Sequence, residues 1–297
     1  CGALNTYDKS INLSFDGGGE NYSTKIVLIN KKKRKVLKKI KWPNSLGHFY
    51  SFFTGYLGFK MLEGEYKMMG LAPYGEPIYY DLILNNLIKL NEDGSIKINQ
   101  KYFNYLEGSV MTNKNFENLF KIKKRVPESK ILREHMNIAS SIQKVTEKII
   151  LKMAEYTKKI TGENNLCLSG GVALNCVANG VLLKSKIFKN IWVQPASGDA
   201  GSSLGCAYDV YYSYLKNLRK NDDENSTAQK GSLLGPSWSL DEIKSFLDSS
   251  DINYEFYQDE KMRNKIISEL ISESKVIGLF QGRTEFGPRA LGSRSII

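Results

Sequence analysis

Three times along this chain a short apolar run with the look of a β-strand stops at a glycine-rich turn. These are Ile11-Asn-Leu-Ser-Phe15 before Asp16-Gly-Gly-Gly-Glu20, Leu166-Cys-Leu168 before Ser169-Gly-Gly-Val-Ala-Leu-Asn175, and Ile191-Trp-Val193 before Pro195-Ala-Ser-Gly-Asp-Ala-Gly201. The second and third turns lead into helical patterns, one running to about Ser185 and one through Cys206. Strand, tight turn and helix in that order require an α/β architecture. Glycines let backbone amides approach a ligand closely. A helix that begins there adds free N–H groups and the positive end of its dipole, which suits an anion or a nucleotide. One Gly-Gly turn would be weak evidence, and the Gly-x-x-x-x-Gly-Lys-Ser phosphate loop is absent. Repetition of the device carries the reading. Asp199, at the start of the third helix, can be a plain N-cap, but Gly198 and Gly201 beside it would let a ligand or metal come close.

Between these turns the pattern predicts supporting structure. Lys25–Ile29 and Val36–Ile40 read as strands of a hairpin whose turn and wet face hold the basic tract Lys31-Lys-Lys-Arg-Lys35. Residues 45–59 predict a helix packed tightly at Gly47, Gly55 and Gly58; His48 on it could be a ligand, but with no second histidine at ligand spacing a core histidine with its hydrogen bonds satisfied is expected. Residues 63–75 read as a turn-rich loop and a candidate site wall, and residues 79–133 as a cover of helices and short strands. Ile138, Ile142, Val145, Ile149, Met153, Tyr156 and Ile160 recur every three or four positions, one face of a long helix over 134–161 that Gly162 stops. Residues 217–230 have the composition of a linker. Ser239 then caps a helix beginning near Leu240, with Glu242 at the capping-box position. The run Val276–Phe280 predicts a buried strand delivering a loop that carries Arg283, Arg289 and Arg294 among Gly282, Gly287, Pro288 and Gly292. Guanidinium forks on a fixed backbone hold phosphate or carboxylate oxygens bidentately.

Composition narrows the classes. The 297 residues are 41% hydrophobic with a net charge of +11. The lysines are not interleaved with aromatic residues and no recognition helix is visible, so no nucleic-acid partner is expected; the charge is expected to draw in small anions. No apolar run reaches the roughly 20 residues of a membrane span, and the expected setting is the cytoplasm. Cys167, Cys176 and Cys206 read as reduced packing residues. The chain opens on Cys1 without an initiator Met and stops just after the arginine cluster, so both ends read as cut.

The three turns would converge on one cleft in an actin-like ATPase (ASKHA, ribonuclease H-like) fold. The chain resembles the O-carbamoyltransferases of the nodulation and antibiotic-tailoring group. Their first domain is similar to the tRNA threonylcarbamoyl-adenosine enzyme and their second to its carbamoyl-adenylate-forming partner. The likeness spans essentially the whole chain. It rests on Asp16-Gly-Gly-Gly-Glu20, Ser45-Leu-Gly47, Tyr56-Leu-Gly-Phe59, Gly64-Glu-Tyr-Lys-Met-Met-Gly-Leu-Ala-Pro-Tyr-Gly75, Ser169–Asn175, Gly198–Gly205 and Gln281–Ser295.

That resemblance implies an actin-like domain over residues 1–230, lacking its N-terminal part, and the start of a second α/β domain over 231–297. It implies that ATP and carbamoyl phosphate give carbamoyl-adenylate, whose carbamoyl group passes to a hydroxyl of a small-molecule or glycan acceptor. Nucleotide or carbamoyl-adenylate contacts fall to Gly17, Gly18, Gly170, Gly171, Asn175, Gly198 and Ser202, and carbamoyl phosphate to Arg283, Arg289 and Arg294. A divalent metal, Fe(II) by resemblance, falls to Asp16 and Asp199, with a His-x-x-x-His pair expected just before Cys1. A homodimer is a candidate assembly, and no catalytic side chain is assigned. The alternatives are another actin-fold nucleotide-binding protein, either like a sugar kinase or non-catalytic, and a tRNA-modifying enzyme that uses carbamoyl-adenylate.

Overall fold

Strand β1 (Lys9–Phe15) alternates apolar and polar residues, and the alternation places Ile11, Leu13 and Phe15 in the interior with no exposed surface. In the computed structural model, which describes residues 7–30, 33–108, 111–218 and 230–297, β1 is the central strand of a five-stranded sheet. On one side it pairs antiparallel with β2 (Tyr22–Asn30), which pairs antiparallel with β3 (Lys33–Lys41). These two strands are the expected hairpin; residues 31 and 32 of its basic turn lie outside the described residues. On its other side β1 runs parallel to a strand far along the chain.

The segment in between supplies the cover. Helix α1 (Leu46–Tyr56) buries an aromatic ridge, with Phe49 and Phe53 edge-to-face at 5.4 Å and Phe53 against Phe116 at 5.2 Å. There follow α2 (Glu65–Leu71), α3 (Tyr80–Asn86), the small ribbon of β4 (Ile88–Leu90) and β5 (Ile96–Ile98), and α4 (Lys114–Phe120). The turn-rich loop expected over 63–75 is thus largely helical. Met68 and Leu71 are buried and α2 packs on α5, which overrides the weak helical propensity of a segment flanked by glycines. Helix α5 (Arg133–Thr161) buries Ile138, Ile142, Val145, Ile149 and Met153 as its spacing predicts, and Gly162 ends it at φ 64°. Each such side chain contributes about 1.5–3 kcal/mol of burial.

Then come β6 (Asn165–Ser169), α6 (Cys176–Lys184), β7 (Asn190–Val193) and α7 (Asp199–Asp209). The sheet order is β3-β2-β1-β6-β7. Ile11 faces Leu166 and Leu166 faces Ile191 in parallel register, so β1, β6 and β7 end on the same edge. Cys167 is buried, and burial pushes its thiol up to about 11. Cys176 and Cys206 correct the expectation of packing cysteines, because they lie exposed on α6 and α7. No helix is long and apolar enough to cross a membrane among the described residues.

The chain divides into two units, Cys1–Arg219 and Lys220–Ile297; residues 219–229 of the expected linker lie outside the described residues. The second unit holds α8 (Leu240–Ser249), α9 (Glu260–Ser272) and a hairpin of β8 (Gly278–Phe280) with β9 (Arg294–Ile296). The capping box of α8 is present: the Glu242 N–H donates to Ser239 Oγ at 3.3 Å and the Ser239 N–H to Glu242 Oε2 at 2.7 Å. None of the buried apolar side chains belongs to this unit among the described residues. The expected buried strand over Val276–Phe280 is corrected accordingly. Val276 is 77% and Phe280 54% exposed, because a two-stranded ribbon has no second layer to lie against.

Candidate functional site

At the shared edge of β1, β6 and β7 the three glycine turns are joined by hydrogen bonds. Asp16 accepts from its neighbour Gly17 N–H through Oδ1 at 2.7 Å and from Gly171 N–H through Oδ2 at 3.0 Å. The Gly170 N–H donates to the Ser197 carbonyl at 2.8 Å, tying the second turn to the third. Close approach requires glycine at 170. Its φ is +87°, and a Cβ there would stand 2.2 Å from the Phe15 carbonyl oxygen.

Helix α1 holds the first turn from behind. Ser45 is fully buried; its Oγ donates to the Asp16 carbonyl at 2.8 Å and accepts the His48 N–H at 3.1 Å, so one hydroxyl caps the helix and grips the loop. Gly47 is in contact as well, since a Cβ there would meet Gly17 N at 2.6 Å.

The expected site residues divide into two kinds. Gly17, Gly18, Gly170, Gly171, Gly198 and Asp199 lie on the joined turns. Asp199 is the first residue of α7, exposed, with Gly198 as the N-cap, so it belongs to the helix rather than capping it. Ser202 is exposed one turn further on. Asn175 faces inward: its Oδ1 accepts from Ala178 N–H at 3.0 Å, capping α6, and its Nδ2 donates to Gln143 Oε1 at 2.9 Å. That side chain positions the turn.

Two side chains outside the expected site residues stand at this edge. The ring of His48 lies against the first turn, with Cδ2 and Nε2 each 3.2 Å from where a Gly17 Cβ would be. Its Nδ1 is buried with no hydrogen-bond partner, which corrects the expectation of a satisfied core histidine. Burial pushes its pKa down, and the nearby Asp16 charge opposes that only partly. Gln194 is fully buried below α7 with both amide atoms unpartnered. It lies 3.0 Å from where a Gly201 Cβ would be. No spacing signal marks either residue.

The arginine loop of the second unit is organised by Glu285, also outside the expected site residues. Its Oε1 accepts the N–H groups of Leu291 and Ser293, each at 2.7 Å, and its Oε2 accepts from Arg294 Nε at 3.2 Å. Hydrogen bonds, first that from Ser293, pull its pKa down to about 2. Arg294 is further engaged with the Gly287 carbonyl, and Arg283 Nε donates to the Gly235 carbonyl at 3.0 Å. Arg289 is half-buried in the same loop. Gly287 and Gly292, at φ 129° and 114°, adopt backbone that other residues rarely take.

Among the described residues no three His, Cys, Asp or Glu side chains gather as metal ligands. Carboxylates suit a hard divalent cation; Asp16 and Asp199 would supply only part of its ligands.

A family model described as carbamoyltransferase N-terminus matches residues 6–208, and one described as carbamoyltransferase C-terminus matches residues 268–297. An uncharacterized protein of Synechocystis is 48% identical over 98% of this chain and 47% of its own length. The nodulation protein NolNO of Sinorhizobium fredii is 32% identical over 99% of this chain and 41% of its own. The 3'-hydroxymethylcephem-O-carbamoyltransferase of Amycolatopsis lactamdurans is 23% identical over 89% of this chain and 46% of its own. The chain spans about half the length of these curated relatives.

Proposed function

The chain belongs to the carbamoyltransferase family, and from that membership we propose that it works in the transfer of a carbamoyl group to a hydroxyl of a small-molecule or glycan acceptor. In this reading water releases carbamate and phosphate from carbamoyl phosphate, and a carbamate oxygen attacks the α-phosphorus of ATP, whose bond to the pyrophosphate oxygen breaks, giving carbamoyl-adenylate and pyrophosphate. The acceptor oxygen then attacks the carbamoyl carbon, the bond from that carbon to the AMP phosphate oxygen breaks, and AMP leaves. Residues 1–230 form the transferring domain, of actin-like type, and 231–297 begin the adenylate-forming one. The order β3-β2-β1-β6-β7, with only β2 reversed within β2-β1-β6-β7, supports the first assignment.

One observation carries the reading: the three turns meet through the Asp16–Gly171 and Gly170–Ser197 hydrogen bonds, at the carboxyl ends of parallel strands, where α/β sheets bind ligands. The turns of Gly17, Gly18 and Gly171, whose first and third N–H groups are held by Asp16, frame the phosphate of the adenylate, which the Gly18 amide and the start of α7 orient. Asp16 and Asp199 would contribute to a divalent ion, which when bound polarises phosphate and carbonyl. Arg283, Arg289 and Arg294 bind carbamoyl phosphate, with Glu285 presetting Arg294.

The full-length protein tests this. Carbamoyl-phosphate-dependent exchange of labelled pyrophosphate into ATP reads the first half-reaction, and release of AMP from isolated carbamoyl-adenylate reads the second. Asp199→Asn is expected to slow AMP release about tenfold or more, ~1.4 kcal/mol of barrier, and to leave exchange within about twofold. Equal loss of both, or exchange that ignores carbamoyl phosphate, overturns the proposal.

A further inference from the structure

We propose that His48 donates a hydrogen bond from Nε2 to a phosphoryl oxygen of the nucleotide held by the first glycine turn. The inference rests on the nucleotide reading of that turn and adds to it a residue from another element.

The ring is fixed on three sides. Its backbone N–H is bound by Ser45 Oγ at 3.1 Å, the hydroxyl that also grips Asp16. Its face stacks on Phe52, with centroids 6.1 Å apart and planes 15° from parallel. Its Cδ2–Nε2 edge lies along Gly17, and Cε1 would be 3.7 Å from a Cβ on Gly18. Nδ1 is closed off from solvent without a partner, yet the residue as a whole is only half-buried. The open edge of the ring is therefore the one beside the glycine turn.

A neutral imidazole carries one N–H and one acceptor nitrogen. Orphaned buried N–H groups are rarer than orphaned acceptors. That preference puts the proton on Nε2, where it points to the space over Gly17 and Gly18. A phosphoryl oxygen drawn to the Gly18 amide would find a second donor there, since the Gly17 N–H is held by Asp16, and hydrogen bonds to charged groups are the stronger kind. Any side chain at 17 would press on the ring, with Cβ already at 3.2 Å, so glycine at that position keeps the edge open.

The bland alternative is that His48 only fills space on Phe52. Substitutions separate the two. His48→Phe keeps a stacked ring and loses the donor, whereas His48→Gln loses the ring and carries an amide N–H about as far out as Nε2. With AMP as the probe and equilibrium dialysis on the full-length protein, His48→Phe is expected to weaken binding about tenfold. His48→Gln is expected to stay within about threefold of wild type, and both variants should keep the wild-type circular dichroism spectrum. Wild-type affinity in His48→Phe overturns the assignment, as does equal weakening in a correctly folded His48→Gln. A wild-type protein that exchanges pyrophosphate but does not bind AMP overturns the His48 contact and leaves the first half-reaction standing.

Discussion

Around Asp16 the chain is held from behind by packed apolar side chains, whereas the arginine loop is held from within by one carboxylate. Phe15, Leu168 and Ala173, beside the first two turns, have at most 1% of their surface exposed. The backbone there can be forced into close contact, with Gly170 pressed on Phe15, because the surrounding core determines its position. Nothing apolar is buried in the second unit among the described residues, and Glu285 compensates by gathering two N–H groups and a guanidinium. Packed support resists change in volume, and polar support resists change in charge.

Four substitutions can break that comparison. The largest effect belongs to Phe53→Ala, in the aromatic ridge of α1 where Phe53 is fully buried. It is expected to destabilise the first unit by about 3–5 kcal/mol in urea unfolding, whereas Phe280→Ala, at a side chain 54% exposed, should stay within about 0.5 kcal/mol. Equal effects would mean that the second unit has an apolar core after all. Next comes Gly170→Ala, which must move Phe15 or abandon φ +87°; a loss of about 2–4 kcal/mol is expected by the same measurement.

The smallest and most local effect is that of Glu285→Gln. Its carboxyl pKa is lowered from 4.5 to about 2, so its support is complete above pH 4.5 and disappears as the pH falls through 2. Protection of the Leu291 and Ser293 amides against hydrogen exchange should therefore fall over that window in the wild type. In the variant it should be low throughout. Protection in the wild type that is indifferent to pH would show that the loop is held by something other than Glu285.

Periodic burial made much of the fold legible in advance. The stripe from Ile138 to Met153 fixed α5, and the alternation in β1 fixed the strand on which the edge is built. Helix α2 was not legible, because Gly64, Gly70 and Pro73 read as turn chemistry while its docking on α5 is a long-range effect. The glycine turns were visible as turns, and their joining required the register of β1 with β6. His48 and Glu285 escaped for a related reason. A histidine on an aromatic helix looks like core until Gly17 is placed beside it, and a glutamate among arginines looks like a surface pair until backbone amides close on it.

The bond from Gly171 to Asp16 joins residues 155 positions apart. On the ribosome, at roughly 5–20 residues per second, the Asp16 turn waits about 8–30 s for its partner to be made. The β1–β2 hairpin can close in about 1–10 μs, long before that. A nascent chain therefore carries one of its three glycine turns through the synthesis of everything from β2 to α5, with β1 open on the side where β6 will dock. The whole segment from α1 to α5 is made during that interval, before the strand that closes the β1 edge exists.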